Sequence, residues 1–120
     1  MSPRTSVFAF VLFFAAAAPA QEFKCPASQG KKLLYNAEVS DGPPEEIAWL
    51  EPDESRGSTS YTYASWDIGY LFKIGHTPFL TCRYGTLKDT ETVTVKVDKP
   101  VQKCIFRTHG ASQPAELICK

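Results

Sequence analysis

The side chains that could do chemistry in this sequence are few, and their spacing does not match a catalytic site. The chain has two histidines, His76 and His109, and each stands beside a glycine in a predicted turn. A hydrolase triad needs a nucleophile that is held by a base and an orienting acid. Gly110-Ala111-Ser112 lacks the second glycine of a G-x-S-x-G elbow. The sequence therefore predicts a protein that is not an enzyme, and an enzyme would have to depend on one of the two histidines.

Metal and cofactor chemistry is not indicated either. No two cysteines have C-x-x-C spacing, and His and Cys do not cluster as zinc ligands do. Phosphate-cradling glycine loops are absent from the sequence. The acids Glu45, Glu46, Glu51 and Asp53 could supply a carboxylate pair for glycoside hydrolysis. Solvated charge is the commoner role for acids beside a proline turn, so we expect no metal and no cofactor.

The four cysteines predict two disulfides. An even number of cysteines in a small exported protein favours bridges over free thiols or a metal site. Cys104 and Cys119 bracket the turn sequence HGASQP and could face each other across a hairpin, which leaves Cys25 to pair with Cys82. Three connectivities are open in principle, and this is the one we predict.

Residues 1–20 have the parts of a secretory signal peptide. Arg4 supplies positive charge, Ser6 to Ala18 is apolar, and Ala18-Pro19-Ala20 is a small-residue cleavage site. The apolar run is short for a membrane span, although an uncleaved anchor is the alternative. We expect cleavage after Ala20, no membrane span in what remains, and a single domain over residues 21–120.

The stretch from Phe79 to Val97 predicts a central β-hairpin. Leu80, Cys82 and Tyr84 share one face of the first run, and valines alternate with polar residues in the second. Further strands are predicted at 32–40, 45–51 (with one helical turn as the alternative), 59–67, 70–74, 102–108 and 115–119, and residues 52–60 are predicted to be a polar loop. The fold class is therefore all-β, a small disulfide-stabilised antiparallel β-sandwich or barrel of about 7–8 strands.

Charge and aromatic residues indicate a binding surface. The chain is neutral overall, which argues against a nucleic-acid partner. Acids dominate from Glu38 to Asp67, and Trp49 and Trp66 are expected in the core because a small domain has few other large side chains to bury. The predicted binding residues combine acids of the 41–53 loops with tyrosines expected to be exposed: Asp41, Glu45, Glu46, Asp53, Tyr61, Tyr63 and Tyr70. Loops that are merely solvated are the alternative.

A resemblance covers nearly the whole chain after residue 20. The order of EFKCP, VSDGPPEEIAWLEPD, Trp66-Asp67, FLTCRYG, V-x-V and a later cysteine resembles a family of small exported proteins of Gram-negative bacteria, some of them encoded near type VI secretion genes. The resemblance implies a periplasmic location and an immunity role against a delivered toxin, and it brings no catalytic residues. The chain is also similar, in architecture alone, to periplasmic lysozyme inhibitors.

Two functions follow from these observations. The first is a periplasmic, non-catalytic binding protein, an inhibitor or immunity-type protein whose partner is a toxin or a cell-wall hydrolase. The alternative is a structural or accessory envelope protein that binds peptidoglycan or another envelope component.

Overall fold

Nine strands in two antiparallel sheets make up about half of residues 22–120, the part of the chain that the computed structural model describes. The predicted signal peptide lies outside these residues. The strands are β1 (Phe23–Lys24), β2 (Ser28–Gln29), β3 (Lys32–Asp41), β4 (Glu54–Gly57), β5 (Thr62–Asp67), β6 (Pro78–Thr86), β7 (Asp89–Lys96), β8 (Lys103–Arg107) and β9 (Glu116–Cys119). A 3-10 helix, Pro44–Glu46, and one α-helix, α1 (Gly69–Lys73), complete the elements.

The strands form a five-stranded sheet in the order β1-β9-β8-β5-β4 and a four-stranded sheet in the order β2-β3-β6-β7. One buried cluster takes side chains from both sheets, including Trp66 and Leu117 from the first and Leu34 and Tyr84 from the second. Burial of one face of each sheet against the other is what holds a β-sandwich together. The predicted all-β fold is confirmed, and Trp66 lies in the core as expected. No helix within residues 22–120 is long and apolar enough to span a bilayer.

The predicted central hairpin is formed by β6 and β7. Leu80 lies opposite Val95 and Cys82 opposite Val93, so the alternating apolar residues of both runs share the face toward the core. The strands are joined at Leu87 and Lys88, within the sequence GTLKDT, which is rich in turn-forming and charged residues.

Two disulfides link the four cysteines, and their pairing is the one that the sequence favoured. Cys104 and Cys119 are directly opposite each other on β8 and β9. Cys25 follows β1 in the first sheet and bonds to Cys82 on β6 in the second. One bridge therefore ties two neighbouring strands, and the other ties the two layers.

Two predicted strands are wrong. Residues 45–51 contain the end of the 3-10 helix and an isolated bridge between Ser40 and Trp49, close to the helical turn that was the alternative. Pro44 explains this, because its fixed φ and missing N–H suit the first turn of a helix. The stretch 70–74 lies largely in α1, where Leu71 points into the core. A five-residue apolar segment is too short for its period to separate helix from strand.

Three strands were missed, and one core residue was misplaced. β1 and β2 have two residues each and lie before residue 32, where no strand was predicted. β4 lies in the predicted polar loop, and all of its residues are exposed, so no apolar alternation marks it. Trp49 is 37% exposed rather than buried. Its ring lies 5.8 Å from the Arg83 guanidinium, on the outer face of the second sheet.

Candidate functional site

The structure divides the predicted binding residues between the two ends of the sandwich. Strand β3 runs from Lys32 to Asp41 and is about 30 Å long at the usual rise per residue. Asp41 and Glu46 line a cavity at one end. Tyr61 lines a cavity with Lys32 at the other. The predicted set is therefore not one continuous surface.

Five of the seven predicted residues lie at the end where β3 finishes. Asp41 is the last residue of β3, and Glu45 and Glu46 lie in the 3-10 helix that follows. Asp53 accepts a hydrogen bond of 2.6 Å from the N–H of Asp67, the last residue of β5. Tyr70 lies on α1, which begins shortly after β5 ends, and is 54% exposed.

The segment from Asp41 to Leu50, which we call the acidic loop, is held at both of its ends. The Asp41 N–H donates to Ala48 O at 2.9 Å, and the Leu50 N–H donates to Val39 O at 2.9 Å. The Gly42 N–H donates to Thr77 O at 3.0 Å, which ties the loop to the segment before β6. Hydrogen bonds from its own ends and from a neighbouring segment fix the loop in one conformation.

Ile47, at the tip of the acidic loop, combines two unfavourable features. Its φ is 49° and its ψ is 33°, a left-handed conformation that is an outlier for a β-branched residue. Its side chain is 73% exposed. The N–H of Ile47 donates to Pro44 O at 2.9 Å, which holds this conformation. Strained residues of this kind cluster at binding and switch sites, so the tip is a candidate contact point.

Other exposed apolar side chains lie at the same end as Ile47. Ile74 follows α1 and is 58% exposed, and Tyr70 is on the same helix. The backbone links α1 to this end of the sandwich, since the His76 N–H donates to Leu71 O at 2.9 Å. Exposed apolar side chains that are rimmed by polar ones mark a candidate protein-binding surface.

His76 and Asp41 form an ion-pair geometry at the base of the acidic loop. The Nδ1 atom of His76 lies 3.0 Å from both carboxylate oxygens of Asp41. The pair lines a cavity of about 290 Å³ together with Glu46, Thr77 and Phe79. Within residues 22–120, no hydroxyl or thiol is hydrogen-bonded to the other ring nitrogen of His76. The geometry fits a contact that joins the acidic loop to the segment before β6.

The other end of the sandwich contains a cavity of about 550 Å³, which opens between the sheets. Lys32 Nζ lies 2.8 Å from an Asp89 carboxylate oxygen at its edge, and this hydrogen bond raises the pKa of Lys32. Tyr61 is 47% exposed there, and Tyr63 lies next to it on the outer face of β5, between two arginines. Sequence reasoning missed this cavity because its walls come from four separate stretches of the chain, 31–35, 58–62, 85–89 and 108–115.

Residues 22–120 hold no group of three or more His, Cys, Asp or Glu side chains with the geometry of a metal site. Residues 22–120 form a disulfide-linked β-sandwich, with a hydrogen-bonded acidic loop and exposed apolar side chains at one end. This end of the sandwich is therefore a candidate binding surface.

The family model of the type VI secretion system Tli immunity protein matches residues 28–120. The chain therefore belongs to the type VI secretion system Tli immunity protein family. This confirms the link to type VI secretion that the sequence resemblance implied. Neither the curated proteins nor the solved structures gave a match.

Proposed function

We propose that this protein acts in the periplasm, where it binds and blocks a type VI secretion toxin without catalysis of its own. Membership of the Tli immunity family is the observation that carries this proposal. The two disulfides and the predicted signal peptide support export, because disulfides persist in oxidising compartments. The toxin class that we propose is a cell-wall hydrolase, since the cell wall lies in that compartment.

The acidic loop end is the surface that we assign to the toxin. Its backbone is already fixed by hydrogen bonds at both ends, so little conformational freedom is lost on binding. Ile47 projects from this fixed loop and suits an apolar pocket in the partner. Asp41, Glu45 and Glu46 give the loop negative charge with no lysine or arginine between 41 and 50. The partner surface should therefore be basic around an apolar recess.

Blocking by such a loop requires only binding. A convex loop that fills a cleft excludes the substrate and leaves the chemistry of the toxin intact but unreachable. The strain at Ile47 supports this assignment, because a residue under strain with no packing benefit to its own fold has another use.

The experiment starts by identifying the toxin through capture from secreted and periplasmic extracts, with the oxidised protein as bait. The affinity for the captured toxin is then measured for the wild type, Ile47→Asp and Leu87→Asp. Leu87 is the matched control because it is also an exposed apolar residue, 90% exposed, but lies at the β6–β7 turn.

We expect I47D to weaken binding by about a hundredfold, since a buried charge replaces an apolar contact. L87D should bind like the wild type. Equal losses in both variants, or none in I47D, would show that the acidic loop is not the interface. Capture of cell-wall fragments without any protein would instead support the alternative of an envelope accessory protein.

A further inference from the structure

Arg56, Tyr63 and Arg107 form one row across three neighbouring strands of the five-stranded sheet. Tyr63 on β5 lies directly opposite Arg56 on β4 and directly opposite Arg107 on β8. The guanidinium carbons lie 4.2 Å and 5.6 Å from the centre of the Tyr63 ring. Both distances are within the range of cation–π contacts. The Tyr63 ring therefore contacts two guanidinium groups on the same face of the sheet.

Neither arginine of this row has a carboxylate partner within residues 22–120. Glu116 lies opposite Arg107 on β9, but its carboxylate is 3.4 Å from Nε2 of His109 instead. The third arginine of this part of the chain provides an internal comparison. Arg83 also contacts an aromatic ring, that of Trp49, and it forms an ion pair with Glu38.

Arg83 is therefore a structural arginine, whereas Arg56 and Arg107 are available to a ligand. Two like charges beside one ring repel each other, and no carboxylate within residues 22–120 forms an ion pair with either of them. Beside them is a cavity of about 250 Å³, which Arg56, Tyr63 and Arg107 line together with Thr62, Thr108 and His109. The volume is sufficient for a small anionic group between the guanidinium groups and the strand ends.

We propose that the Arg56–Tyr63–Arg107 row is a binding site for a phosphate group. Each guanidinium presents a planar fork of N–H donors that matches the oxygens of phosphate or carboxylate. Two guanidinium groups carry two positive charges, which a phosphate monoester with about −1.5 to −2 charge balances. A carboxylate would neutralise only one of them. The site lies at the end of the sandwich opposite the acidic loop, so it does not rest on the function proposed above.

The test is an NMR titration of the full chain produced in an exporting bacterial host. The side-chain Nε–H signals of Arg56 and Arg107 and the ring signals of Tyr63 are followed during addition of inorganic phosphate. Acetate at matched ionic strength is the carboxylate comparison. We expect saturable shifts with phosphate and an affinity about tenfold or more weaker for acetate.

The variant Arg56→Gln/Arg107→Gln should lose at least about tenfold in phosphate affinity. The control Lys88→Gln/Lys96→Gln removes the same charge from exposed positions on or beside β7 and should bind like the wild type. All of these changes are at exposed positions, and circular dichroism checks that each variant is folded. Absence of saturation, equal affinity for acetate, or an equal loss in the control would overturn the proposal.

A second arm distinguishes two sources of the phosphate group. Vesicles of phosphatidylcholine with and without phosphatidic acid are sedimented with the wild type and with R56Q/R107Q. Co-sedimentation that needs both phosphatidic acid and the two arginines identifies a lipid headgroup as the source. Saturable binding of inorganic phosphate without co-sedimentation identifies a small soluble phosphate compound.

Discussion

The backbone of Ile47 has a left-handed conformation, although the residue is β-branched. Its side chain is exposed to solvent. A non-glycine residue in this conformation costs about 1–2 kcal/mol. The exposed side chain recovers little of that cost through packing within its own fold. This combination is expected where a residue is selected for contact with a partner.

The variant Ile47→Gly tests this trade-off. Glycine removes the strain but gives the unfolded chain more freedom, at about 0.4–1 kcal/mol. We therefore expect the free energy of unfolding to change by about 1 kcal/mol or less, while the affinity for the toxin falls. Urea unfolding and a binding assay on the same protein measure both. A loss of several kcal/mol in stability would mean that Ile47 supports the fold.

Tyr84 provides a second prediction at this scale. Its side chain is fully buried, its hydroxyl donates to Pro26 O at 2.7 Å, and burial raises its pKa above the ordinary 10.0. The unfolded chain therefore loses this proton at lower pH than the native state. The contribution of the Tyr84 hydroxyl to the free energy of unfolding is constant below about pH 10. It falls as the pH rises from there towards the pKa of Tyr84 in the folded protein.

We expect Tyr84→Phe to lower the free energy of unfolding by about 1 kcal/mol at pH 7, because Pro26 O loses its donor. Above pH 10 the difference between variant and wild type should shrink. Urea unfolding of both proteins at pH 7 and at high pH measures the difference. A difference that grows with pH would contradict the assignment.

At the scale of elements, the two disulfides constrain the chain to different extents. Cys25 and Cys82 are 57 residues apart and join the two sheets, whereas Cys104 and Cys119 are 15 apart and join neighbouring strands. In the loop-entropy account, these separations correspond to about 4 and about 3 kcal/mol. The bridge between the layers should therefore contribute more.

The paired variants C25A/C82A and C104A/C119A measure this difference by urea unfolding. We expect both to be destabilised and C25A/C82A to be destabilised more, since the unfolded chain regains the larger loop. Comparison of whole pairs avoids leaving a free thiol in either protein. A larger loss in C104A/C119A would show that native packing around β8 and β9 outweighs the entropy of the longer loop.

The elements that sequence reasoning found are those with one buried face. In β3, β6 and β7, apolar residues alternate with polar ones because one face of each strand packs against the other sheet. This alternation can be read from the sequence. Strand β4 is fully exposed, and its place depends on backbone pairing with β5, which leaves no apolar pattern. The helix α1 is five residues long and contains less than two turns of periodicity.

The candidate site was found in part for similar reasons. The acids of the acidic loop were identified because charge beside Pro43-Pro44 marks an exposed turn. Ile47 was not identified, since nothing in the sequence indicates that its φ is positive. Tyr61 and Tyr63 were grouped with the acids because they are near in sequence. The direction of β5 carries them to the opposite end, and this follows from sheet order, which a single sequence does not contain.

At the scale of the whole molecule, the acidic loop is a local concentration of negative charge, with three acids and no lysine or arginine between 41 and 50. Replacement of Glu45 and Glu46 by lysine should slow association with the toxin about tenfold, because encounter with a basic surface is steered by charge. The dissociation rate should change less. The effect should fade as salt is raised, since these side chains are exposed.

Stopped-flow or surface-plasmon measurements at low and high salt separate the two rates. The control Glu91→Lys/Glu116→Lys makes the same change in net charge on β7 and β9, at the other end of the sandwich. It should leave association close to wild type. Equal slowing in both variants would show that net charge, and not its location, governs the encounter.

The claim that the toxin binds the acidic loop end is tested most directly by hydrogen–deuterium exchange of the protein alone and in its complex. We expect new protection in residues 42–49 and 70–76 and none in residues 85–89 at the opposite end. Protection confined to the Tyr61 end, or spread along the edge of β7, would contradict the assignment of the binding surface. It would leave the family membership unchanged and would place the interface elsewhere on the sandwich.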